Sequence, residues 1–205
     1  MGYAALAILL LIIIVVIIVA VAFGASDSTK PPWIFEAPEK RAGRHGEYAV
    51  TNAIKSVLRE GDYLFTNISI SFEGQLTELD NVLVNKYGVF IIEAKNYKGR
   101  LYGKEDDYKW VKYKDDGYGN TFKKEVKNPV KQVKRQVYIL SNYLKYYGER
   151  TWVEGYAVLV KGGSPIKSKY ILESTYDIDK AIHTPERHLL PKQKVEAIKK
   201  ILSDT

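Results

Sequence analysis

The side chains with the clearest chemical use lie in two stretches, Thr77-Glu78-Leu79-Asp80-Asn81-Val82-Leu83-Val84 and Gly88-Val89-Phe90-Ile91-Ile92-Glu93-Ala94-Lys95. Both read as strands. Side chains alternate faces along a strand, so Glu93 and Lys95 share one face while Phe90, Ile92 and Ala94 take the other. The turn Asn85-Lys86-Tyr87-Gly88 fits a hairpin with a two- or a four-residue loop, and both versions set Asp80 opposite Glu93. Directly opposed residues have Cβ atoms about 4.5–5.5 Å apart, where two carboxylates repel. A divalent cation turns that repulsion into a binding site. Oxygen ligands without His or Cys suit a hard ion, Mg²⁺ (or Mn²⁺), which keeps several waters and uses one or two carboxylates plus substrate phosphate. Beside such an ion, Lys95 can stabilise charge building on a phosphodiester under attack, or orient and deprotonate the attacking water. Glu47 falls in step with Val50 and Ile54, so its carboxylate joins an apolar helix face, where a charge wants a partner. A strand-edge ion pair explains a lone Glu-Ala-Lys equally well. The combination of inward Glu47, Asp80 facing Glu93, and Lys95 two residues on is harder to explain that way.

These residues need a scaffold. The pattern predicts a helix over Gly46 to Glu60, strands over Tyr63 to Phe72, Leu76 to Asn85 and Val89 to Lys95, and a hairpin from Arg100 to Lys114. Asn128-Pro129 opens a helix to about Tyr147, with Val130, Val133, Val137, Leu140, Leu144 and Tyr147 as its apolar stripe. A strand over Trp152 to Val160, a short one over Lys169 to Glu173 and a final helix over Pro191 to Leu202 complete the chain. The order implies a mixed α/β sheet with helices on its faces. With no cysteine, disulfide scaffolds and thiol chemistry are excluded. His183 and His188 have no acid or nucleophile at suggestive spacing.

Tyr3 to Phe23 is an unbroken run of 21 residues without a charge, which matches the length of a membrane span. A cleaved signal peptide is the competing reading, but no Lys or Arg precedes residue 30 and the run exceeds a signal core. Lys30, Lys40, Arg41 and Arg44 follow it, which places the rest of the chain in the cytoplasm. The expected organisation is a transmembrane helix over residues 3–23, a proline-marked linker over 24–41 and one domain over 42–205, in a single-pass membrane protein. No second stretch reaches spanning length, so a polytopic transporter is excluded.

The 205-residue chain has a net charge of +7, and most of it is local: Lys109 to Arg135 holds nine basic residues against three acidic ones. Lys109, Lys112, Lys123, Lys124, Lys127, Lys131, Lys134 and Arg135 are candidate phosphate contacts. Trp110, Tyr113, Tyr118 and Phe122 are interleaved with them as candidates for stacking on bases. A solvated face or attraction to anionic lipid gives the same composition. The position beside the carboxylates favours nucleic acid, DNA before RNA.

Gly43-Arg44-His45-Gly46-Glu47, the two strand motifs, Asn96, Trp110 and Asn128-Pro129-Val130-Lys131-Gln132 together resemble the nuclease-related domain (NERD) family, a branch of the restriction-endonuclease-like PD-(D/E)xK superfamily. The resemblance covers roughly Ala42 to His183. It implies a restriction-endonuclease-like mixed sheet with an α-β-β-β-α-β core and a metal-dependent nuclease. Asp80, Glu93 and the Ala94 carbonyl would bind Mg²⁺. Lys95 would be the catalytic lysine, Glu47 an accessory carboxylate and Gln132 an orienting residue. Leu79 stands where the superfamily's name has proline. A catalytically silent nucleic-acid-binding or membrane-interaction module on this fold is the alternative.

Overall fold

The structure, a computed structural model, describes residues 38–161, 163–184 and 189–205. The apolar run over 3–23 and most of the linker lie outside the described residues. Among the described residues no helix is long and apolar enough to cross a membrane.

Five strands form the main sheet: β1 (Tyr63–Phe72), β2 (Gln75–Asn85), β3 (Gly88–Lys95), β7 (Val153–Leu159) and β8 (Ile171–Leu172), side by side in that order. β3 is central, antiparallel to β2 and parallel to β7. Asn85 pairs with Gly88 across a two-residue turn, and its Oδ1 accepts from the Tyr87 amide at 2.8 Å. Among the described residues four helices cover the sheet: α1 (Pro38–Lys55), α2 (Pro129–Tyr146), α3 (Thr175–His183) and α4 (Lys192–Ser203). Alternation along β2 and β3 divides the core. Val82, Val84, Val89 and Ile91 pack against Ile139, Leu140 and Leu144 of α2 and Val195, Ile198 and Leu202 of α4. On the other face, Leu83, Phe90, Ile92 and Ala94 meet Val50 and Ile54 of α1 and Ile178 and Ile182 of α3.

Four expectations are corrected. The first helix begins at Pro38 and ends at Lys55, so the last residues of the expected linker are helical and Gly46 lies mid-helix. The hairpin is a separate three-stranded antiparallel sheet of β4 (Arg100–Tyr102), β5 (Lys109–Asp115) and β6 (Thr121–Lys127). The α2 stripe buries Gln136 and Ile139, while Val137 is half-buried. His183 does have acids at hand: its side chain is 3% exposed, with Nε2 2.8 Å from Asp62 and Nδ1 2.6 Å from Asp179, one turn back on α3. Asp179 also takes Arg59 at 2.8 Å, and the Asp62 carboxylate accepts the Arg59 amide at 2.8 Å. This cluster fastens the segment after α1 to α3 and holds the layer over that face.

Trp110 is fully buried with Leu101, Val130 and Ile171, and its indole N–H donates to the Lys104 carbonyl at 2.9 Å. It is therefore a core residue and cannot stack on a base. Trp110→Ala is expected to lower stability by about 3–5 kcal/mol, measured by urea unfolding, without a selective loss of nucleic-acid affinity in the folded fraction.

Candidate metal and nucleic-acid site

The carboxylates meet where β2 leaves its neighbours. The β2–β3 ladder has the expected register, but its last pair is Val82↔Ile91. Beyond it, side chains replace backbone pairing: Asn81 Nδ2 donates to the Ile92 carbonyl at 3.1 Å, and Asp80 Oδ2 accepts the Ala94 amide at 2.8 Å. The other edge of β2 is interrupted at the same level. Thr66 pairs with Asn81 and Ile68 with Leu79, while Asn67, with φ 53°, is left out opposite Asp80. Asn is among the few residues that tolerate this left-handed conformation. Nothing in the strand-like sequence around Asn67 signals it.

Glu93 lies on the sheet face that α2 covers, and the Asp80 carboxylate meets its charge at the open end of the ladder. Glu93 is 2% exposed and is held by three donors: Lys95 Nζ and Gln132 Nε2 (2.5 Å) on Oε1, and Gln136 Nε2 (2.7 Å) on Oε2. Gln136 also donates to the Glu78 carbonyl at 3.0 Å. Burial first, and then the Glu93 charge, push the Asp80 carboxyl up to about 7; the Ala94 amide and Lys95 oppose this, and Glu47 adds a smaller repulsion. The half-buried Glu47 arrives from α1 at the end of the sheet. Gly46 allows the approach, since a Cβ there would lie 2.8 Å from that of Asn96, whose amide donates to the Ala42 carbonyl at 2.6 Å. Burial, and then the Glu93 charge, also raise the Tyr97 phenol well above its ordinary value.

The donor set fits a hard divalent ion. Two carboxylates strain each other across a partly dry gap, which a cation would relieve. Val89 donates to Trp152 and Lys95 accepts from Val160, so odd-numbered residues of β3 turn their backbone groups to β7 and even-numbered ones to β2. The Ala94 carbonyl thus lies on the Asp80 side, past the end of the ladder. The Oε1 atoms of Gln132 and Gln136 are buried without a partner among the described residues, which leaves acceptors for metal-bound water. No group of three or more His, Cys, Asp or Glu side chains forms a metal cage among the described residues. An ion that keeps most of its waters does not need one.

The eight basic candidates do not form one surface. Across β5 and β6, Lys109, Lys123 and Lys127 share a face with Tyr113, whereas Lys112 and Lys124 lie on the opposite face with Trp110 and Phe122. Lys109 pairs with Glu125 at 2.6 Å, Lys134 with Glu105 at 2.9 Å and Lys131 with Asp106 at 3.7 Å. Arg135 donates to the Leu76 carbonyl at 3.5 Å. Tyr118 and Phe122, 92% and 59% exposed, are free to stack where Trp110 is not. Asn128, which caps α2 through the Val130 amide at 2.9 Å, also donates to the carbonyls of Glu105 (2.9 Å) and Asp107 (2.7 Å). It therefore joins the helix bearing Gln132 to the small sheet.

A mixed sheet that brings Asp, Glu and Lys to the splayed end of two strands, backed by glutamines from one helix, defines an α/β domain of the carboxylate-lysine type. The chain belongs to the NERD family: the model of the nuclease-related domain matches residues 42–160, more than half of the chain. The PD-(D/E)xK placement is consistent with this membership. An uncharacterised protein of Bacillus anthracis is 29% identical over 93 residues, which cover 43% of this chain and 44% of that protein. The chain thus matches less than half the length of this relative. No solved structure matches the chain.

Proposed function

We propose that this protein is a Mg²⁺- or Mn²⁺-dependent nuclease that hydrolyses phosphodiester bonds, tethered to the membrane through residues 3–23 with its domain in the cytoplasm. The observation that carries the reading is the meeting of Asp80 and Glu93, with Lys95 beside them, at a buried end of the sheet. Asp80, Glu93 and the Ala94 carbonyl would hold the ion, which when bound supplies Lewis-acid stabilisation and a water more easily deprotonated. Lys95 offers a positive charge on the same face as Glu93, suited to the charge that develops on the phosphoryl oxygens. Gln132 fixes the Glu93 carboxylate, and Glu47 adds negative charge near Asp80. Lys123, Lys127 and the exposed Phe122 and Tyr118 offer phosphate and base contacts.

The test is cleavage of labelled single- and double-stranded DNA and RNA by the full chain in detergent, with Mg²⁺, Mn²⁺ or EDTA. Cleavage that needs metal and is lost in Glu93→Ala is expected; cleavage that survives EDTA overturns the reading. The second reading, a silent nucleic-acid-binding or membrane-interaction module, is favoured by one fact: Lys95, Gln132 and Gln136 together occupy both oxygens of the Glu93 carboxylate. DNA binding without any calorimetric heat for Mg²⁺ or Mn²⁺ would select it.

A further inference from the structure

We infer that Gln136 is a positioning residue for this site, setting the separation and orientation of its two carboxylates; the inference rests on the metal-dependent reading above. Gln136 sits one helical turn after Gln132, so both amides face the same way from α2. They divide Glu93 between them. Gln132 Nε2 takes Oε1 at 2.5 Å and Gln136 Nε2 takes Oε2 at 2.7 Å. One donor would leave the carboxylate plane free to turn. A donor on each oxygen, from a single rigid helix, fixes it.

The second bond of Gln136 reaches further. The same Nε2 donates to the Glu78 carbonyl at 3.0 Å, on the strand that carries Asp80 two residues later. The β2–β3 ladder has ended at Val82↔Ile91, so no backbone pair fixes the gap at the level of Asp80 and Glu93. The Gln136 amide spans it, with β2 backbone on one side and the Glu93 side chain on the other. A site that must accept an ion tolerates errors of only about 0.5 Å in its ligands, so a bridge at this point controls whether both carboxylates reach one ion.

Packing does not call for an amide here. Gln136 is 1% exposed, on the stripe with Val133, Ile139 and Leu140, and its Oε1 is buried without a partner among the described residues. Packing alone would be met by Leu or Met, of similar size and with no acceptor to desolvate; what the amide adds is the donor to Oε2 of the buried Glu93, a group of the proposed ion site.

Gln136→Met keeps the volume and removes both bonds. In the full chain in detergent, kcat is expected to fall about 10- to 100-fold and the Mg²⁺ concentration for half-maximal rate to rise about 10-fold, with KM for the nucleic acid unchanged. A purely structural role would lower the melting temperature and leave the metal dependence of the folded fraction alone. If wild type cleaves and Gln136→Met matches it in kcat and metal dependence, the inference is overturned while the nuclease reading stands. If wild type does not cleave, the nuclease reading fails, and calorimetric Mn²⁺ affinity decides this point: weaker binding by Gln136→Met supports the inference, and equal binding or none by either chain overturns it. If Gln136→Met does not fold, the side-chain amide protons of Gln136 in the wild-type chain are followed by NMR during Mg²⁺ addition. A shift is expected, and resonances that stay in place overturn the proposal.

Discussion

Asp80→Asn is expected to stabilise the metal-free protein above neutral pH and to abolish metal-dependent cleavage. Burial and the facing Glu93 hold the Asp80 carboxyl at about 7, against an ordinary value of 3.8. An acid whose folded value lies above its unfolded one contributes stability that is complete below about pH 4 and is lost as pH rises through 7. Asparagine keeps an oxygen for the Ala94 amide and carries no charge to desolvate. At pH 8 in EDTA the variant is expected to be more stable by about 1–3 kcal/mol, several degrees in melting temperature. The difference should shrink as pH falls to 5. Thermal unfolding of both chains across that range checks this, and a difference that does not change with pH contradicts the assigned origin of the shift. The same substitution removes a carboxylate from the proposed ion site, so activity and stability move in opposite directions.

Lys95→Ala is expected to lose most of the rate while keeping the ion site. Removing one preorganised charge-stabilising group costs on the order of 10²–10³ in kcat. Because the Lys95 ammonium sits on Oε1 of Glu93, its removal also takes away a competitor for the ion. Half-saturation by Mg²⁺ is therefore expected at or below the wild-type concentration even as cleavage collapses. A loss of rate caused by a damaged ion site would move half-saturation upward. Single-turnover cleavage at a series of Mg²⁺ concentrations separates the two, and wild-type cleavage by Lys95→Ala ends the proposed role.

Much of this site was legible in the sequence because it depends on strand periodicity and one short turn. Asn85-Lys86-Tyr87-Gly88 determines the register, and the register brings Asp80 to Glu93. Asn128-Pro129 marks the start of α2 for reasons local to the chain: a side-chain cap and a residue without an amide proton. The failures also have physical causes. β6 reads Thr-Phe-Lys-Lys-Glu-Val-Lys and is almost wholly exposed, so it carries no apolar alternation to reveal it. α3 is nine residues long and buries only Ile178, Ile182 and His183, too short a stripe to stand out. The partners of His183 were half visible, since Asp179 is one turn away, but Asp62 comes from far along the chain. Gln136 left a usable signal: an amide at the step between Val133 and Leu140, where the stripe should be apolar. Val137 fits the same stripe and masked it. The left-handed Asn67 left none.

The splayed end of the β2–β3 hairpin has one more consequence. The Ala94 amide proton is held by a carboxylate and not by a neighbouring strand. Its protection from solvent exchange therefore depends on the charge and placement of Asp80, and not on the ladder that protects amides nearer the turn. A single backbone proton is thus a gauge of the site, reporting the state of Asp80 in any variant whether or not it retains activity.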